Sequence, residues 1–424
     1  FKTTKTEKMT SDDGVSSDTG TYKFSPKHQY SIKNNPLCGI CFPQWLGIVL
    51  RRYKEIEWMK FWPRLLFLTF MSILNSLLSL PEYVWFERRI QDTKLEDNPV
   101  FILGHPRTGT TLLHNLLALD DERFGSISTT FCCGFPSSFL WLESFGKPLF
   151  SGIIDDTRPM DNVKLDFDLP QEDEIATNVL SGGISPYMPL FFMKQEEDYR
   201  PYFSFRNSNS NDKQSWAKSF LYFCQKITLR AAMIKRTKTS SRMLLKSPVH
   251  TSRIELLLQL FPNAQFVYMH RHPYDVFLSA ANMADTTYWY TYLNTPSDTM
   301  IQEFILKQYE ILWEDYERDC RLINKNNILE VSFDELTTNT IPTIQKLYQH
   351  FGWLQQDNDN NDSDSWETSN MYSKLQKELS DVKSYKKNTF RPLHPALQQI
   401  INERWGPSFD RLGYTKSNNS KKNN

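Results

Sequence analysis

The run PVFIL at residues 99–103 passes directly into GHPRTGTT at 104–111, and a helical pattern follows from Thr110 to Leu119. A strand that becomes a helix through Gly104-x-x-x-x-Gly109 leaves few architectures open. The apolar run is too short for a helix, and the two glycines allow a tight backbone loop. Backbone N–H groups at the start of the next helix can then hold anionic oxygens at the positive end of its dipole. The alternation recurs three times: RMLLK (242–246) precedes a helical pattern from about Pro248 to Leu260, QFVYMH (265–270) a helix opening at Pro273, and NILEVSF (327–333) a helix at 340–351. Short strands that each end in a turn opening a helix predict an α/β fold. The expected form is a three-layer, phosphate-loop-type parallel sheet flanked by helices.

The loop follows the nucleotide phosphate-loop spacing G-x-x-x-x-G-K-[ST], with Thr110 where the Lys would stand and Thr111 after it. In kinases and NTPases that Lys and a magnesium ion neutralise the β- and γ-phosphates, so its loss argues against ATP or GTP hydrolysis. Arg107 is the loop's own cation, beside Thr108. One cation suits a transferred group with less charge than a phosphoryl. A sulfuryl group leaving from a stable phosphate is that case, and it needs no metal. A second pattern, FVYMHRHPYDVFLSAANM (266–283), places Arg271 at a strand end, Pro273 at a helix start and Ser279 on that helix. An Arg and a Ser so placed can share one phosphate.

Together the two patterns resemble the sulfotransferases that use 3′-phosphoadenosine 5′-phosphosulfate, in particular the broad group with P-R-[ST]-G-T-T in the first phosphate loop. The resemblance runs from about Pro99 to Trp353 and includes PQEDE (170–174), LLKSPVH (244–250), LFPNAQFVYMHRHPYDV (260–276) and VSFDEL (331–336). It implies a 5′-phosphosulfate site at Arg107, Thr108, Gly109, Thr110 and Thr111, with Arg107 neutralising the departing phosphate. It also implies 3′-phosphate ligands at Arg271 and Ser279. Lys386, with Lys387 and Arg391, is the candidate for the basic element that closes on that phosphate.

The acceptor hydroxyl must lose a proton as it attacks sulfur. His250 is the first candidate base. With Ser247 as N-cap and Pro248 as first helical residue, His250 falls in a first turn, where the dipole keeps imidazole neutral. Lys246 would help hold the sulfonate. The rival base is a carboxylate. SISTTFCCGF (126–135) holds no acid, which leaves Glu172 or Glu174 of QEDE. His105 and His114 are read as shaping the loop, and His270 and His272 as framing Arg271.

Balanced charge, 49 Lys+Arg against 49 Asp+Glu, argues against nucleic-acid binding by bulk electrostatics. Six cysteines in this length are no disulfide framework and favour a reducing compartment, and Cys38-Gly-Ile-Cys41 lacks partners for zinc. Aromatic, charge-poor stretches at 131–142, 184–193 and 286–293 suit a pocket for a lipophilic alcohol such as a sterol or other lipid. The expected enzyme is therefore a sulfotransferase acting on a small hydroxylated acceptor. The alternatives are a Golgi glycan sulfotransferase anchored through residues 64–82, and a non-catalytic nucleotide-binding protein.

The chain divides into a disordered leader (1–36), an apolar helical segment (37–95), the catalytic domain (96–415) and a disordered tail (416–424). Seventeen uncharged residues lie between Arg64 and Glu82, with Thr69, Ser72, Ser76 and Ser79 forming one narrow polar stripe. Basic and Trp-rich flanks leave three readings open: a helix packed on the domain, a peripheral membrane contact through residues 42–90, or a span. The expected location is cytoplasmic with membrane association, the Golgi membrane being the alternative. Polar insertions at 206–215 and 355–365 are expected as surface loops.

Overall fold

The computed structural model describes residues 20–155, 157, 165–235, 242–354, 366–381 and 393–416. Its centre is a parallel five-stranded sheet in the order β2-β3-β1-β4-β5. The strands are β1 (Val100–Gly104), β2 (Ser126–Ile127), β3 (Met243–Lys246), β4 (Gln265–His270) and β5 (Ile328–Ser332). Four of these coincide with the apolar runs. Strand β2 is a two-residue edge, too short for any pattern.

Side chains alternate across the sheet, as a period of two requires. Phe101, Leu103, Leu245, Phe266 and Tyr268 enter one core, while Val100, Ile102, Leu244, Val267 and Met269 enter the other. Both faces are thus buried under helices, which gives the three layers. Strand β1 pairs with β3 on one side, Phe101 opposite Leu245, and with β4 on the other, Phe101 opposite Phe266. The chain crosses over on both sides of β1, so a crevice opens at its carboxyl end.

Helices α1 (Phe42–Arg52) and α2 (Trp58–Gln91) precede the sheet, and α3 (Thr110–Leu117) follows β1. The polar stripe of α2 faces inward, toward α1. Thr69 accepts from the Trp45 indole at 2.9 Å, and the Ser76 hydroxyl from the Phe42 N–H at 2.8 Å. Further along, Asn75 donates to the Cys38 carbonyl at 2.7 Å, and buried Glu82 pairs with buried Lys226.

Three expectations are corrected. Residues 20–36 are a packed strap and not a disordered leader: Phe24 is buried, the Tyr22 N–H donates to Gln302 at 2.7 Å, and the Ser25 N–H to Asp285 at 2.6 Å. Residues 1–19 lie outside the described residues, as do 355–365 and 417–424 of the expected loop and tail. The 206–215 insertion is not a free loop either, because Arg206 pairs with Glu255 and Asp319 and a helix starts at Ser210. Finally, the pattern from Pro248 to Leu260 is a 3-10 turn followed by a helix at Ile254–Leu260. The break falls at Arg253, whose guanidinium turns inward to the Phe203 carbonyl and Glu174.

Candidate active site

The loop after β1 depends on its two glycines. Gly104 has φ +134°, and a Cβ there would lie 2.4 Å from the Met269 carbonyl oxygen. Gly109, at φ +95°, precedes α3, and its Cβ would meet the Phe333 ring at 2.5 Å. Between them Arg107 also has positive φ, +76°, a conformation that costs a non-glycine residue about 1 kcal/mol or more. That turn directs Arg107 Nε to the Ser279 hydroxyl at 2.9 Å, so the two sequence patterns meet in one contact. Thr108 is buried and donates to the His105 carbonyl at 2.8 Å, and buried Thr110 opens α3. The Thr111 hydroxyl accepts from Lys246 at 3.4 Å.

Arg271 leaves the end of β4 with its guanidinium 4.5 Å from the Phe333 ring and one nitrogen 3.3 Å from Asp275. Its Nε is buried and has no hydrogen-bond partner among the described residues. A buried, unpaired guanidinium N–H beside a glycine cradle is what an anionic oxygen would satisfy. Lys386, Lys387 and Arg391 lie outside the described residues.

The flanking histidines are structural. His105 and His114 are buried, and loss of hydration pushes both down to about 3, with Lys246 also opposing charge on His114. His270 contacts the Tyr414 hydroxyl at 2.8 Å, and His272 packs against Tyr274 and Phe409.

The candidate bases separate by environment. His250 is fully buried between the Phe101 and Phe220 rings, with Nε2 on Asp173 at 2.6 Å. It lies outside the lining of the cavity that Arg107 and Glu172 share, so its burial weighs against the expected role as the base. Glu174 is also fully buried, held by Arg253 at 2.6 Å and by the Ser185 hydroxyl. Ser247 caps a different helix from the one expected: its hydroxyl accepts from the Glu174 N–H at 3.0 Å, in the first turn of Asp173–Leu180. That cap aligns Glu172, the residue just before the helix.

Glu172 is partly open, at 23% exposure, where Lys246 is 1% exposed. One Glu172 oxygen receives Lys246 Nζ at 2.8 Å and the other receives the Tyr187 hydroxyl. Burial, then the neighbouring Glu172 charge, pushes Tyr187 well above its ordinary value and keeps it a donor. Glu172 thus faces the same space as Arg107, Thr110 and Thr111.

That space is a cavity of about 280 Å³. Each of the three aromatic stretches contributes to its wall, through Phe135, Tyr187 with Leu190, and Tyr288 with Tyr290. Other residues of those stretches, such as Phe139 and Phe192, are core. Unforeseen in the sequence are Asn34 and Pro36 from the strap, Cys38 just after it, and Phe304 and Gln308 from the helix Asp298–Asp319. Nothing local to those residues marks them.

Comparison with known proteins decides the class. The sequence profile described as the sulfotransferase family matches residues 99–357. The chain belongs to the sulfotransferase family. This sulfotransferase is 30% identical over 378 residues to the omega-hydroxy-beta-dihydromenaquinone-9 sulfotransferase Stf3 of Mycobacterium bovis, covering 89% of this chain and 91% of that one. The Stf3 of Mycobacterium tuberculosis gives the same figures. In three dimensions the sulfotransferase is similar to STF1 from Mycobacterium tuberculosis H37Rv, with TM-score 0.59, 16% identity and coverage of 86% and 92% of the two chains. STF9 from Mycobacterium avium follows, with TM-score 0.58, 16% identity and coverage of 84% and 87%. At that identity the likeness shows the shared fold. Membership removes the reading as a non-catalytic nucleotide-binding protein. In this sulfotransferase a cationic loop, a carboxylate and an apolar cavity share one crevice, an arrangement able to fix an anionic donor against a deprotonating hydroxyl.

Proposed function

We propose that this sulfotransferase moves a sulfuryl group from 3′-phosphoadenosine 5′-phosphosulfate to a hydroxyl of a lipophilic small molecule, a sterol or other lipid alcohol. The observation that carries the reading is the cavity itself. Its walls are largely apolar and aromatic, and its polar end holds Arg107 and Glu172. The name of the relative at 30% identity, which contains omega-hydroxy-beta-dihydromenaquinone-9, supports a lipid alcohol. The tight loop that turns on Gly104 and Gly109, and an Arg271 Nε that has no partner among the described residues, support an anionic donor.

In this reading the acceptor oxygen forms a bond to sulfur while the bond from sulfur to the 5′-phosphate oxygen breaks. The hydroxyl proton passes to a Glu172 oxygen, and Arg107 stabilises the charge that collects on the departing phosphate. Lys246, which contacts both Glu172 and Thr111, holds the sulfonate in this reading as charge redistributes. Purified protein incubated with labelled donor and a panel of sterols, long-chain alcohols, phenols and sugars tests the proposal. Label should appear on the apolar alcohols, and label on sugars alone would reject the lipid acceptor. Calorimetry should show 3′-phosphoadenosine 5′-phosphate binding without magnesium.

A further inference from the structure

We propose that the outward face of α2 rests on the surface of a lipid bilayer, with the helix lying in the plane of the interface. Trp62, Leu66, Phe70, Ile73, Leu77 and Leu80 are each 47–63% exposed. They advance by three or four residues, so they form one straight stripe about 27 Å long. Between Lys60 and Arg88 no charged side chain interrupts it. Arg64 and Glu82 point into the protein, and Glu87 accepts from the Tyr222 hydroxyl at 2.7 Å. Monomers in water rarely show an unbroken apolar strip of this length.

Three observations favour a bilayer as the occupant. Exposed Trp58 and Trp62 mark one end of the stripe, and exposed Trp85 lies past its other end on the flank of the helix, with exposed Lys54, Lys60, Arg88 and Arg89 beyond them. Indoles at the rim and cations outside it complement the headgroup layer and its anionic lipids. The inner face, by contrast, is fixed to protein along its length by Thr69, Asn75 and the Glu82–Lys226 pair. A span would carry those partners into hydrocarbon, so the helix lies on the surface. The stripe also continues toward the cavity. The Trp85 ring meets Trp141 at 6.2 Å, and Trp141 meets exposed Phe145 at 5.3 Å. Five residues on, Phe150 packs at 4.6 Å on Phe135 of the cavity wall. On the opposite side Asn75 holds Cys38, another wall residue. This apolar side of the molecule is the one by which a lipid alcohol would travel between the bilayer and the cavity. That route rests on the lipophilic-acceptor reading, whereas the docking itself does not.

Co-sedimentation with vesicles of phosphatidylcholine, alone and mixed with phosphatidylglycerol, tests the docking. The wild-type protein should sediment with the mixed vesicles. A Leu66→Glu, Phe70→Glu, Leu77→Glu variant, altered only at exposed positions, should lose about tenfold or more in partitioning. A Lys60→Glu, Arg88→Glu, Arg89→Glu variant should lose binding selectively on the anionic vesicles. Both should keep wild-type circular dichroism and wild-type turnover of a short, water-soluble alcohol. Wild-type protein that stays in the supernatant with every vesicle, or an acidic triple variant that sediments unchanged, overturns the proposal. So does a light-scattering dimer that the triple variant abolishes in the absence of vesicle binding, since a second copy would then cover the face. Vesicle binding combined with label on sugars alone would reject the lipid acceptor and leave the docking intact.

Discussion

Lys246 and Glu172 form an ion pair at 2.8 Å where the apolar cavity meets the phosphate loop. The same Lys246 nitrogen lies 3.4 Å from the Thr111 hydroxyl, and the same Glu172 carboxylate accepts from Tyr187 of the cavity wall. Donor side and acceptor side are therefore joined through two side chains, one from the end of β3 and one from just before the helix Asp173–Leu180.

Glu172→Gln keeps the size of the side chain and an acceptor for Tyr187, but removes the proton acceptor. Turnover should fall by about 10²–10⁴-fold, with little change in donor affinity. Steady-state kinetics beside calorimetry of the desulfonated donor checks this. Turnover within a fewfold of wild type would remove Glu172 from the chemistry.

Arg107→Ala should lower kcat by about 10²–10³-fold, because the departing phosphate loses its cation. Folding should be little affected, since Ala keeps the Cβ and with it the same positive-φ strain, and the change removes no core contact. A KM effect with unchanged kcat would reassign Arg107 to donor binding alone.

His250→Phe fills the ring volume between Phe101 and Phe220 but leaves Asp173 unpaired in the core. The expected cost is about 3 kcal/mol in denaturant unfolding, with kcat per folded molecule largely kept. The reverse result, intact stability with a general-base-sized loss of kcat, would restore His250 as the base.

Gly109→Ala should weaken binding of 3′-phosphoadenosine 5′-phosphate by about tenfold or more, because a methyl group at φ +95° meets the Phe333 ring. Titration calorimetry measures it directly. Wild-type affinity would show that the cradle does not hold the donor.

His105 and His114 set an acid limit on stability. Each is pushed down to about 3 in the fold, against an ordinary value near 6.5. Below about pH 6.5 the unfolded chain takes up two protons that the native chain refuses until about pH 3. Stability is thus fully present above the unfolded value and declines as pH falls through that window, by on the order of 2 kcal/mol per pH unit for the pair. Unfolding curves from about pH 7 to pH 5 should show the decline, and His105→Gln should halve the slope. A flat profile would reject the assignment.

The phosphate loop could be read from the sequence because all its parts are contiguous: strand, glycines, Arg107 and helix start lie within a dozen residues. The placement of Arg271 at a strand end and of Ser279 on the next helix was legible for the same reason. The burial of His250 was not legible, because its local setting, after Ser247 and Pro248, imitates an exposed first turn. Its partner Asp173 is 77 residues away, and no local pattern announces that contact. Glu172 and Glu174 look alike in QEDE, but the helix that starts at Asp173 turns one into the cavity and the other onto Arg253. The cavity's aromatic walls could be anticipated from composition. The contribution of Asn34 and Pro36 could not, since a polar strap looks like a loose leader until Asp285 and Gln302 tie it down.

The inner face of α2 has a practical consequence. An apolar N-terminal helix invites deletion when a protein is to be expressed in water. Here deletion would strand Lys226 in the core without Glu82 and strip Asn75 from the segment that walls the cavity. The part of the chain least at ease in solvent is also part of its frame. Gains in solubility would therefore have to come from recolouring its outer surface, with the helix left in place.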